Sequence, residues 1–160
     1  MTETTTGTCF WYDGTAEEAA RLYTSIIPRS SITAVIRNPM AWPGGAAGDV
    51  VLVEFELAGT RYQALNGGPD QPFNETASVT VSCPDQAEVD RIWDALIDAG
   101  GEAMMCGWLK DRYGLRWQIV PQAMERMLRS GDSDGIGRAM AAMGEMVKLD
   151  GPALERAFEG

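Results

Sequence analysis

The chain has 160 residues, 45% of them hydrophobic, enough to bury a substantial core in one domain or in two small fused modules, and disorder is not the expected state. Lys and Arg total 13 against 23 Asp and Glu, and a net charge of -10 repels phosphate backbones, so no nucleic-acid partner is expected. Histidine is absent, which removes the usual general base, the partner of Ser or Cys nucleophiles and the commonest metal ligand.

The opening Met1 to Thr8 lacks a basic end and an apolar core, and no run of about 18 apolar residues occurs, so the reading is a soluble cytoplasmic protein without a membrane partner. Cys9, Cys83 and Cys106 form no Cys-x-x-Cys pair and read as reduced thiols rather than a disulfide framework.

Thr8 to Tyr12 is an aromatic-rich strand closed by turn chemistry at Asp13-Gly14. Thr15 is placed to cap a helix in which Ala19, Leu22, Tyr23 and Ile26 recur at helical spacing until Pro28. Ile32 to Ile36 reads as a short strand, and Asn38 to Gly48, with Trp42 inside it, as a mobile loop. Val51 to Leu57 alternates, and Ala58-Gly59-Thr60 turns it into Arg61 to Leu65, a hairpin with one buried face that stops at Asn66-Gly67-Gly68-Pro69. Glu54 and Glu56 share one strand face, read as a solvated outer face rather than as paired catalytic carboxylates.

Val79 and Val81 mark a new strand, followed by a helix capped by Asp85, with Glu88 as capping-box partner and Val89, Ile92, Trp93 and Leu96 as its apolar stripe until Gly100-Gly101. Cys106 to Pro121 then reads as arm, turn and strand, with Lys110-Asp111-Arg112 taken as surface. Gly59-x-Arg61-Tyr62-Gln63 and Gly114-x-Arg116-Trp117-Gln118 have the same order of residue types. The succession of strand, helix, strand and hairpin is thus written twice, in a module spanning 8–70 and another spanning 76–121. The tail, 122–160, is helical: Met124 and Met127, then a stripe of Ile136, Met140, Met143 and Val147 behind capping Asp132, then a last helix from Asp150 and Pro152. Its Met-rich stripe must lie on the sheet or on a second subunit, and a homodimer is expected.

Asp13-Gly14-x-Ala16-Glu17-Glu18-Ala19, Ala64-Leu65-Asn66-Gly67-Gly68-Pro69, Asp85-Gln86-Ala87-Glu88-Val89-Asp90 and Cys106-Gly107-Trp108-Leu109-Lys110-Asp111-Arg112-Tyr113-Gly114, in that doubled order, resemble the PhnB-like branch of the vicinal oxygen chelate superfamily. Proteins of this branch are often labelled by similarity as demethylubiquinone methyltransferases. The resemblance implies an α+β fold of the glyoxalase/bleomycin resistance/dioxygenase type: two tandem βαβββ modules that enclose a cavity in one domain over 1–160, here with a helical C-terminal tail. It also implies that catalytic members hold a divalent metal through His, Gln or Glu on the first and last strand of each module, positions that correspond here to Gln63 and Gln118. Both are neutral amides, and the first-strand positions near Thr8 and Ser78 bring no imidazole. No metal and no cofactor are therefore expected. The lack of a glycine-rich strand-to-helix loop followed by an acidic ribose ligand argues against an adenosyl cofactor as well.

Two readings stay open for each candidate. Gln63 and Gln118 either fix a polar ligand or are satisfied core amides. Trp11, Trp108 and Trp117 either line an aromatic-binding cavity or are core, and Cys106 is either a packed thiol, the favoured reading, or a redox thiol activated by Lys110 or Arg112. The expected ligand-binding cavity is lined by Trp11, Gln63, Leu65, Cys106, Trp108 and Gln118. Its expected use is metal-independent binding of a small, partly aromatic molecule; the alternative is a metal-dependent lyase or dioxygenase-like enzyme.

Overall fold

The structure, a computed structural model, describes residues 4–160. It divides into two compact units, 1–72 and 73–160. In the first, β1 (Thr8–Tyr12), α1 (Ala16–Ile26), β2 (Ser31–Arg37), β3 (Val50–Leu57) and β4 (Thr60–Asn66) form a sheet of order β1-β4-β3-β2. In the second, β5 (Val79–Cys83), α2 (Gln86–Asp98), β6 (Glu102–Ala103), β7 (Trp108–Lys110) and β8 (Arg116–Pro121) repeat that order as β5-β8-β7-β6. In both, the first and last strands run parallel and the remaining neighbours antiparallel. The doubled βαβββ reading is therefore what the chain folds into, with α3 (Gln122–Leu128), α4 (Ser133–Gly144) and α5 (Gly151–Glu159) added to the second unit.

α1 packs on the first sheet through Ala16, Ala19, Ala20, Tyr23 and Ile26, all buried. Small residues at three of those positions let the backbone approach closely, and Tyr23 meets Phe55 ring to ring while its hydroxyl pairs with that of Tyr12 at 3.1 Å. Burying a side chain the size of Phe55 stabilises by about 1.5–3 kcal/mol, and this contact fastens the helix to the sheet. The cap of α1 differs from expectation. Thr15 makes no side-chain bond; the free amide of Ala16 donates to the Asn66 side chain at 3.0 Å, from the far end of β4. Asn66 also donates to the Val50 carbonyl and accepts from the Trp42 indole through its own carbonyl, so one buried residue ties helix, sheet and loop together. The Asn38–Gly48 loop is correspondingly stapled, with bonds from Asn38 to Asp49 and between Trp42 and Gly45.

In the second unit Asp85 caps α2 as expected, accepting from the Glu88 amide at 2.9 Å, but the Glu88 carboxylate pairs with Arg91 instead of closing the box. Gly100 (φ 101) ends the helix, and the Gly101 amide reaches back to the Leu96 carbonyl. The tail closes a core of its own: Ala123, Met124, Met127, Ala139, Leu149 and Leu154, packed with Met143, Met146 and Phe158. It is fastened to α2 by Gln86, which bonds both Leu149 and Gly151, and by Lys148, which lies 3.1 Å from Asp90 and from Asp94. The expected stripe is only partly right. Gly135 and Ala139, not the larger residues, are the buried positions of α4; Met143 turns inward, Met140 is exposed, and Val147 lies past the helix end.

Asp111 is the clearest departure. Read as surface, it is 2% exposed, accepting from the amides of Tyr113 and Leu115 with one oxygen and from the buried Trp117 indole with the other. Asp111→Ala removes the acceptor of two backbone amides and of the buried Trp117 indole and is expected to destabilise the protein by about 2–4 kcal/mol in urea unfolding. Asp111→Asn is expected to fall measurably below wild type too, because one oxygen becomes a donor facing the amides or the indole; wild-type stability in both variants would contradict this role.

Candidate functional site

Strand alternation decides which side chains leave the helix-packed core. In β4, Ala64 and Asn66 turn to α1, so Arg61, Gln63 and Leu65 occupy the helix-free face. The register extends that face across three strands in rows: Glu56 opposite Arg61, then Glu54 opposite Gln63 with Cys9 beyond, then Leu52 opposite Leu65 with Trp11 beyond. The face is thus graded from charged to apolar. Of the expected cavity residues, Trp11, Gln63 and Leu65 are brought together here. The Trp11 indole bonds the Gly68 carbonyl at 2.8 Å and lies flat across Gly67, where a β-carbon would sit 2.2 Å from the ring. Glycine is required at that position.

At the charged end is a pocket of about 230 Å³ lined by Thr5, Thr6, Thr33, Glu54, Glu56, Arg61, Tyr62 and Gln63, among others. Gln63 donates its amide to the Glu54 carboxylate at 3.0 Å. Glu54 and Glu56 are half-buried on this pocket, which corrects their reading as a plain solvated face. The signal was available: with Gln63 assigned to a hairpin strand, the turn at Ala58-Gly59 sets Glu54 directly opposite it.

The second sheet carries a different helix-free face. Gln118 lies opposite Trp108 on one side and Thr80 on the other, and its amide donates to Ser78 at 2.8 Å. Trp108 and Gln118 are thus neighbours, whereas Trp117 is fully buried on the helix side and belongs to the core. The flanking charges are basic, Lys110 and Arg116, engaged by Glu102 and Glu75 respectively. Cys106 stands apart from that face: it holds a left-handed backbone (φ 60), and its amide and that of Gly107 bond the Met146 and Val147 carbonyls, a structural junction with the tail. None of the thiols is paired. Burial raises the pKa of Cys9 and, with the nearby Glu88 charge, pushes that of Cys83 up to about 12, so neither supplies a thiolate at neutral pH.

Residues 4–120 match the family model described as 3-demethylubiquinone-9 3-methyltransferase. The chain belongs to that family. It is similar to the solved structure of a PhnB protein from Bacillus cereus bearing the same description, with 28% identity and a TM-score of 0.64 over 74% of this chain and 99% of that one. Protein PA1353 of Pseudomonas aeruginosa matches with a TM-score of 0.62 at 16% identity, covering 74% of this chain and 98% of its own. The fosfomycin resistance protein FosX of Mesorhizobium loti matches at 0.51 and 11%, covering 73% and 90%. These last two show the fold alone. No curated protein matches the chain. The whole tail, 122–160, lies beyond the residues matched by the family model. Among the described residues no helix is long and apolar enough to cross a membrane.

The groups implied by the family and its fold find few partners. Among the described residues no three His, Cys, Asp or Glu side chains cluster to hold an ion; Gln63 is joined by one carboxylate and Gln118 by a hydroxyl. Neither strand-to-helix connection of this PhnB-like chain is a glycine-rich cradle. β1 reaches α1 through Asp13-Gly14-Thr15 with the Ala16 amide already taken by Asn66, and β5 reaches α2 through Pro84-Asp85, where proline removes a donor.

Gln63→Glu sets a second carboxylate beside Glu54, which raises the folded-state pKa of the pair above its unfolded value. A raised acid contributes most at low pH and loses stability as pH rises through the folded pKa. The variant should therefore approach wild-type stability near pH 4 and fall short by about 1 kcal/mol at pH 7.5, the pair being half-exposed. Urea unfolding at both pH values checks it; a pH profile parallel to that of wild type would contradict the pairing.

Proposed function

We propose that this PhnB-like protein binds a small, partly aromatic molecule on the helix-free faces of its sheets without a resident metal, and that the pocket at Gln63 takes the polar end. The observation that supports this reading is the graded face itself: a pocket with a carboxylate-bound amide, continuing along the strands into Leu65 and Trp11. Binding sites combine a few oriented polar groups with apolar walls in this way. The second sheet offers the same pairing of an amide and an indole at Gln118 and Trp108.

The enzyme alternative draws on FosX, whose Listeria monocytogenes form was solved with Mn(II) and sulfate at 12% identity and a TM-score of 0.51. A resident cation needs donors that return its hydration energy, and an amide with two carboxylates at Gln63, or an amide with a hydroxyl at Gln118, returns only part of it. The two readings separate by elemental analysis of untagged protein after dialysis. We expect transition metal well below one ion per chain; one retained ion per chain would promote the enzyme reading.

The reading includes a homodimer in a reducing, cytoplasmic setting, which three free cysteines suit. Leu128, Met140 and Val147 of the tail are 48%, 43% and 43% exposed, apolar surface that a second copy would cover. Light scattering at tens of micromolar should give twice the chain mass; a monomer there would contradict it, since interfaces of ordinary size hold below that concentration.

A further inference from the structure

The pocket at Gln63 has a hydrogen-bond polarity that is set by its neighbours. A carboxylate only accepts, so the bond to Glu54 engages one of the two Gln63 N–H donors and fixes which end of the amide is which. What remains for a ligand is one Gln63 N–H donor against a majority of acceptors: the Gln63 carbonyl oxygen, the second Glu54 oxygen and, one row along, both oxygens of Glu56. The three threonine hydroxyls can accept as well as donate. The one fixed cation in the lining is Arg61, which is exposed, and among the described residues no ion pair joins it to Glu56 across the strands. The chain as a whole, at a net charge of -10, raises the local concentration of cations and lowers that of anions.

We propose that the ligand group received by this pocket is a protonated primary amine, with its three donors shared among the Gln63 carbonyl, Glu54 and Glu56. An ammonium is compact, carries donors only and matches a cup of acceptors; a carboxylate or phosphate would meet four carboxylate oxygens. The apolar body of the ligand extends along Leu65 and Leu52 toward Trp11, the direction in which the face loses charge. Arg61 at the rim tolerates a carboxylate on the same molecule without being needed for binding. Gln63 is therefore a specificity-determining residue, through the acceptor that Glu54 makes it present.

This inference rests on the proposed binding function, and one titration separates the two. Phenethylamine, phenylalanine, 3-phenylpropan-1-ol and 3-phenylpropionate share an aromatic body and differ in the charge of the head. Each is added to isotope-labelled wild type, Glu54→Gln, Glu56→Gln and Arg61→Gln while the amide signals of Glu54, Glu56, Arg61 and Gln63 are followed. We expect phenethylamine to shift those signals and to bind at least tenfold tighter than the alcohol. The propionate should be weakest, with affinity for the amine lost about tenfold in Glu54→Gln and Glu56→Gln but retained in Arg61→Gln. Equal or tighter binding of the alcohol or the propionate at the same signals would overturn the amine assignment and leave the binding reading in place. Millimolar probes that move none of these signals in folded wild-type protein would overturn both.

Discussion

The functional face depends on the register of β4. It is held between β1, with Thr8 opposite Tyr62, and β3, with Leu57 opposite Thr60. A slip of one residue would exchange the two faces, burying Arg61 and Gln63 under α1 and turning Ala64 and Asn66 outward. What prevents it is less the ladder, which any register satisfies, than the groups that fit in only one. Phe10 and Phe55 each stack on Tyr62, and Asn66 reaches the Ala16 amide only when its side chain points to α1. The helix cap and the orientation of Gln63 are consequences of one alignment.

Duplication made the two sheets alike in order and left them unlike in chemistry. Each presents a glutamine at the matching place in its last strand, but Gln63 is tied to a carboxylate among acids, while Gln118 is tied to a hydroxyl between basic residues already engaged by Glu75 and Glu102. The tail belongs structurally to the second unit, where it carries its own apolar cluster and meets the turn at Cys106-Gly107 through backbone bonds. A turn held from both sides explains how a left-handed cysteine is tolerated there: the local strain is of order 1–3 kcal/mol, and the surrounding bonds over-determine the conformation.

Much of this was legible in the sequence. The Gly-x-Arg-aromatic-Gln echo and the alternation of β3 located both hairpins and put Gln63 and Gln118 at equivalent places. The Asp85 cap and the double glycine after α2 are local signals that the structure repeats. What escaped are the long-range polar bonds. Thr15 has the right chemistry for a cap, yet Asn66, fifty residues beyond the Ala16 amide it accepts from, displaces it; Asp111 sits in a run of charges that looks like surface, yet one of its oxygens satisfies a buried indole. Composition does not record which donor a folded backbone leaves unmatched. Glu54 was misjudged for a related reason: alternation shows that it leaves the core but not that a glutamine on the next strand and threonines ahead of β1 wall it in.

The central claim is that Glu54 holds the Gln63 amide so that its carbonyl faces the ligand. Nitrogen–proton correlation spectra of the glutamine side chains test it directly. The two Nε2 protons of Gln63 should resonate apart from those of an exposed glutamine and collapse to exposed-glutamine positions in Glu54→Leu. A Gln63 signal at the exposed position in the wild type, indifferent to the loss of Glu54, would contradict the account.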